Sequence, residues 1–202
     1  DIISLSLGFK TPYKDIETAL REAIHPKSRT AGARPRLIFA AAANWGFNRG
    51  LAFPASMKGV ICVHATSGNG YDGQINPGAS SDHHHQNFPV GTLGITIESL
   101  WRGNRVWLKG TSYSTPIAAA TAANLLDLAR RRLGNSSALE SYRGMKAVMA
   151  LMCADNHSGS YPYFAPWLVY EKHVDMYSRE RIETTEQLWE AIEDRIDSLH
   201  YN

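Results

Sequence analysis

The segment Gly110-Thr111-Ser112-Tyr113-Ser114-Thr115-Pro116 holds a hydroxyl where a turn runs into a helix. Glycine permits the sharp turn, and a helix start offers unpaired N–H groups and the positive end of its dipole. Ser112 is therefore placed to act as a nucleophile, and its own N–H is a donor for an oxyanion. Acyl transfer by serine also needs a base for the hydroxyl proton and further donors aimed at the developing charge. Pro116 is expected in or near the first turn, where its missing N–H costs least, and the small-residue run from Ile117 to Ala123 lets the helix lie close against a sheet. Taken alone, Gly-Thr-Ser is a common turn, and a serine before a helix is commonly just an N-cap.

The elements that must carry this segment are read from hydrophobic periodicity. Residues 2 to 7 form a mostly apolar strand. Thr11-Pro12 offers a cap and a proline at the first helical position; Ile16, Ala19, Leu20, Ala23 and Ile24 recur at helical spacing, which predicts a helix over 12–25. Leu37 to Ala43 is apolar without alternation, as in a strand covered on both faces, and completes a right-handed βαβ unit. Val60 to Ala65 is a third such strand, so the core reads as parallel α/β. Ser67 to Asn87 is polar and turn-rich and predicts a surface excursion. Thr92 to Ile97 and Arg105 to Lys109 read as short strands, followed by a helix over 113–133 that stops at Gly134. Ser137-Ala138-Leu139-Glu140 reads as a capping box opening a helix to about Met152. Tyr161 to Trp167 is too rich in proline and aromatics for regular structure and is expected to cover apolar surface. Thr184 to about Leu199 is a last helix with Leu188, Ala191, Ile192, Ile196 and Leu199 along one stripe.

With 202 residues, 44% of them hydrophobic, the chain can bury a proper core. A net charge of +2 gives no support to nucleic-acid binding, and Arg130-Arg131-Arg132 suits the end of a helix dipole. No apolar run approaches the ~20 residues a spanning helix needs, so the chain reads as soluble and without a membrane partner. Two cysteines, Cys62 and Cys153, make neither a disulfide framework nor a metal set and read as small core residues.

The longer pattern, Gly110-Thr111-Ser112-x-Ser114-x-Pro116 followed by small residues, resembles the nucleophile segment of the subtilisin-like serine endopeptidases at every fixed position. Ala41-Ala42-Ala43-Asn44 is similar to that family's oxyanion-hole strand. Ser6-Leu7-Gly8 is similar to its substrate strand, and Phe53-Pro54-Ala55 to its Tyr-Pro segment near the primary specificity pocket. The resemblance runs from residue 2 to about residue 153 and in its detail is closest to fungal-type domains. It implies an α/β three-layer sandwich with a mostly parallel sheet, lacking its N-terminal part. Residues 1–154 would then be the C-terminal portion of a peptidase domain and 155–202 an extension with a final helix. It further implies that Ser112 attacks the scissile carbonyl of a peptide or protein substrate and that Asn44 donates to the tetrahedral intermediate. Ser6, Leu7 and Gly8 would bind the extended peptide through main-chain pairing, and the Phe53–Pro54 bond would be cis. No cofactor enters that chemistry and no metal ligand is assigned; structural calcium is common in the family, but no acidic cluster here demands it.

One departure stands out. The family's catalytic aspartate and histidine sit in Asp-Ser/Thr-Gly and His-Gly-Thr motifs ahead of the substrate strand. None of the eight histidines here is followed by glycine, and the sole Asp-Gly, Asp72-Gly73, lies in a polar turn. The resemblance thus implies that base and acid come from upstream of residue 1, from the N-terminal part of the same domain, and that these residues alone show little or no proteolysis. Asp82-His83-His84-His85 carries groups able to bind metal or relay protons, but neighbouring histidines on a loop rarely converge on one ion, so it reads as a solvated loop. His64, inside a strand, reads as a core histidine. Two other readings stay open: a catalytically dead relative that keeps a peptide-binding groove, and a regulatory part of a larger intracellular protein whose last helix docks a neighbour through Leu188, Ile192 and Ile196.

Overall fold

Strands with no polar face are stable only in a sheet covered on both sides, and that is where the apolar runs lie. The computed structural model describes residues 1–26, 34–46, 49–78, 88–133, 138–154, 162–166 and 185–198. Its main sheet has six strands in the order β1 (Ile2–Leu5), β2 (Leu37–Ala41), β3 (Val60–Thr66), β4 (Phe88–Leu93), β8 (Tyr163–Phe164) and β7 (Cys153–Ala154). Neighbours run parallel except β7 and β8. A separate antiparallel hairpin pairs β5 (Ile97–Trp101) with β6 (Asn104–Leu108).

Successive side chains of a strand point to opposite faces, and here both faces are filled. Leu37, Phe39, Ile61 and Val63 pack against helix α2 (Thr111–Leu133) through Ala118, Ala122, Leu125 and Leu126. Helix α3 (Tyr142–Leu151) adds Met145, Val148 and Met149 to the same core, and α4 (Thr185–Asp197) adds Trp189 and Ile192. Ile38, Ala40, Val60 and Cys62 face the other way, onto Leu20 and Ile24 of α1 (Lys14–Ile24). The result is the expected α/β sandwich of three layers. Methyl-sized residues on the inner face of α2, fully buried at Ala118 and Ala122, let the helix axis approach the sheet closely.

Several elements differ from the sequence reading. Helix α1 starts at Lys14 with Tyr13 as its N-cap, making no side-chain capping bond, so Thr11-Pro12 precedes the helix. The predicted strand over 92–97 straddles the end of β4 and the start of β5, because the chain turns at Gly94. Ser141, rather than Ser137, caps α3, its hydroxyl accepting from the Gly144 N–H at 3.0 Å; Ser137 lies outside the described residues. Tyr163 and Phe164, within the aromatic segment, form a short strand beside β4. The loop Asp82–His85 falls outside the described residues, as do the side chains of Leu188 and Ile196, while Ile192 is buried.

The turn at Gly94 bears on the site because it seats α2. Its N–H donates to the Thr66 carbonyl and its own carbonyl accepts from the Gly110 N–H, both at 2.8 Å. A Cβ at this position would lie 1.9 Å from Ser114 Oγ and 2.9 Å from Ala65 Cβ. Gly94→Ala is therefore expected to destabilise the fold by roughly 1–3 kcal/mol through overpacking, measured as a lower urea midpoint with unchanged slope.

Candidate active site

The loops that leave the carboxyl ends of parallel strands are where open α/β sheets gather their ligands. Here β1 ends at Leu5 and continues into Ser6-Leu7-Gly8, and β2 ends at Ala41 just before Asn44. The hairpin strand β6 runs through Lys109 and Gly110 into α2, whose second residue is Ser112.

Strand β2 is shorter than its apolar run because Ala43 has a φ of 129°, a left-handed value rarely tolerated with a Cβ. Strain of this kind is of order 1–3 kcal/mol and persists only where the surroundings over-determine it. The surroundings here are the turn from Gly110 to Ser112 at the start of α2. Asn44 Oδ1 accepts the Thr111 N–H at 2.8 Å. A backbone N–H can only donate, so the oxygen of the amide must face Thr111, and Nδ2 is left as a donor without a partner among the described residues. Gly110, at φ 155°, brings its backbone so close that a Cβ would stand 3.1 Å from Asn44 Nδ2.

At the start of α2 the Ser112 N–H has no intrahelical acceptor and none elsewhere among the described residues. Pro116 lies inside the helix rather than in its first turn. Lacking an N–H, it cannot donate to the carbonyl four residues back, which is that of Ser112. Ser6 Oγ takes up this freed acceptor at 2.9 Å, linking the strand end to the start of α2. The Ser112 hydroxyl itself is 3.5 Å from the Ser6 carbonyl oxygen, too far for a firm hydrogen bond, and is half-exposed.

A cavity of about 190 Å³ opens at this junction and is lined by Ser6, Leu7, Gly8, Asn44 and Ser112, all five residues singled out in the sequence. Trp45, Thr111 and Ala52 complete its wall with Ala41, which ends β2, and Ala43 beyond it. The Phe53–Pro54 bond next to Ala52 is cis. Phe9 and Phe53 exchange two backbone hydrogen bonds of 2.7 and 3.0 Å, which tether the far end of Ser6-Leu7-Gly8 to the cavity rim.

Sequence reasoning missed the support beneath the site. Asp72 and Asn76 lie in the stretch expected to be a surface excursion, yet both are buried, at 2% and 0% exposure. Asn76 accepts the Ala65 N–H and donates to the Ala65 carbonyl, both at 2.8 Å, filling the place of a partner strand beyond the end of β2. From the same loop, the Ile75 carbonyl accepts the Gly46 N–H at 3.0 Å and so props up the segment that carries Asn44. Asn76→Ala leaves two buried backbone groups unpaired and is expected to cost at least ~2 kcal/mol, read from chemical denaturation. Trp45 adjoins Asn44 and was visible in the sequence, but nothing in its pattern assigned it to a wall.

Among the described residues, both cysteines and His64 lie outside the lining of this cavity. Cys62 and Cys153 are free thiols, and burial pushes both far above the ordinary thiol range, which disfavours the reactive thiolate. His64 is 4% exposed, with Nε2 3.6 Å from Cys62 Sγ. Among the described residues no group of three or more His, Cys, Asp or Glu converges, and no helix is long and apolar enough to cross a membrane.

Solved structures with this architecture include the prenylagaramide maturation protease PagA, with a TM-score of 0.64 and 22% identity over 82% of this chain and 59% of that one. The patellamide maturation protease PatA superposes with a TM-score of 0.60 and 24% identity over 79% of this chain and 56% of that one. A cold adapted subtilisin-like serine proteinase gives a TM-score of 0.59 and 18% identity over 82% of this chain and 54% of that one. The chain thus spans little more than half the length of these proteins. No curated protein matches it. Residues 1–152 match the profile of the subtilase family. That match takes in the sheet from β1 to β4, helices α1 to α3 and every residue of the cavity, and the chain belongs to the subtilase family.

Proposed function

We propose that the chain is the nucleophile-bearing, C-terminal portion of a serine endopeptidase domain, residues 1–154, followed by an extension. Ser112 attacks the scissile carbonyl of a peptide or protein substrate. Asn44 Nδ2 and the Ser112 N–H donate to the oxyanion, an arrangement that stabilises charge where it develops. Ser6, Leu7 and Gly8 pair with the substrate backbone, and the cavity beside them receives the side chain that precedes the scissile bond. The histidine and aspartate that activate Ser112 come from the N-terminal part of the same domain; no cofactor takes part.

The observation that carries this reading is the meeting of three segments distant in sequence on one cavity, whose lining includes Asn44 and Ser112. The test is a fluorophosphonate probe applied to the full-length protein. Label mapped to Ser112 by mass spectrometry and lost in Ser112→Ala is expected. Absence of label in the wild type, with peptide binding retained, favours the second reading, a groove without turnover, whose mark is a full-length sequence with no Asp-Ser/Thr-Gly and no His-Gly-Thr motif ahead of residue 1.

A further inference from the structure

A neutral pocket whose wall includes an aromatic ring with a cation close by can distinguish one substrate class from its isosteres. Taking the cavity as the pocket for the side chain before the scissile bond, the inference rests on the reading above and extends it to specificity. None of the lining residues carries a formal charge. Trp45 forms part of the wall, and its ring is fixed by Nε1–H donation to the Gly50 carbonyl at 2.9 Å. The guanidinium of Arg49 stands over that ring, Cζ being 5.9 Å from the centroid. A guanidinium carries five N–H donors, and a contact with a ring occupies only part of it. Arg49 is exposed, and no carboxylate pairs with it among the described residues. The sequence holds it five residues beyond Asn44, within the same loop.

We propose that Arg49, seated on Trp45, selects substrates with an acidic side chain, glutamate above all, immediately before the scissile bond. The methylene stem of glutamate packs along the indole and the alanine wall, and its carboxylate meets the guanidinium edge, the geometry in which arginine binds carboxylates best. An aliphatic or aromatic side chain fills the same space without that ion pair. Glutamine has the stem and the shape of glutamate without its charge, so the pair isolates the electrostatic contribution.

The test uses the full-length protein carrying Ser112→Ala, so that binding is read without turnover, and three peptides identical except for Glu, Gln or Phe before the scissile bond. The Glu peptide is expected to bind roughly three- to fivefold more tightly than the Gln peptide at low salt, the scale of a partly exposed ion pair, and more tightly than the Phe peptide. That advantage is expected to fade in 1 M salt, to vanish in Arg49→Met, and to reverse in Arg49→Glu. Equal binding of Glu and Gln, tighter binding of Phe, or a Glu preference that survives Arg49→Met overturns the inference while leaving the groove intact. Failure of all three peptides to bind overturns the groove reading and the inference with it. Labelling of Ser112 by a fluorophosphonate, which needs no pocket preference, separates that case from loss of the nucleophile.

Discussion

Replacing Ser112 with alanine is expected to lower kcat of the full-length protein by about a millionfold, the scale measured when subtilisin, a relative, loses its nucleophile. The loss is this large because among the described residues neither cysteine is placed to take over the attack. Both cysteines are held as protonated thiols by burial, and neither lines the cavity. Peptide binding is expected to survive, since the Ser6-Leu7-Gly8 backbone and the pocket wall do not depend on the Ser112 hydroxyl. The bond that joins the two segments runs instead from Ser6 Oγ to the Ser112 carbonyl, a main-chain group that alanine retains. Steady-state hydrolysis of a chromogenic peptide, paired with a direct Kd for the same peptide, separates the two effects. A variant that keeps more than about a hundredth of wild-type kcat contradicts the assignment of the nucleophile.

Changes at Asn44 carry the second large effect, and two substitutions separate its two tasks. Its oxygen holds the Thr111 N–H, and its nitrogen is the proposed oxyanion donor. Asn44→Ala removes both and is expected to cost about 10²–10³ in kcat, the range the corresponding asparagine of subtilisin has given, with KM little changed. It also leaves the Thr111 N–H without its side-chain acceptor, so stability falls by about 1 kcal/mol. Asn44→Asp keeps the acceptor and the stability but puts a negative charge where the oxyanion forms. Its kcat is therefore expected to drop further than that of Asn44→Ala while its denaturation midpoint stays near wild type. Equal kcat losses in both variants, tracking stability, contradict a role in charge stabilisation and leave Asn44 as a brace for the turn.

The legibility of the site follows from the locality of its causes. That Ser112, Asn44 and the segment Ser6–Gly8 would line one cavity was readable because their order in the chain matches the family resemblance. The strands β2 and β3 were readable because Leu37–Ala41 and Val60–Ala65 lack polar alternation, which demands cover on both faces. Where structure depends on distant partners the sequence is silent. Strand β4 contains Pro89 and Gly91, which both weigh against a strand, and is held by pairing with β3 on one side and with Tyr163 on the other. Asn76 reads as a turn residue next to Pro77, and its burial depends on the end of β2 leaving the Ala65 backbone unpaired. Pro116 reads as a proline in or near the first turn; only the fold shows that the N–H it lacks frees the Ser112 carbonyl for Ser6.

The account turns on the hydroxyl of Ser112 and the amide nitrogen of Asn44 facing a single reacting oxygen. The most direct test is a crystal structure of the full-length protein after reaction with a peptidyl fluorophosphonate. The account predicts phosphorus bonded to Ser112 Oγ, with its non-bridging oxygen about 2.7–3.1 Å from both Asn44 Nδ2 and the Ser112 nitrogen. An adduct whose oxygen points away from Asn44 into solvent, or one formed on a different side chain, contradicts it.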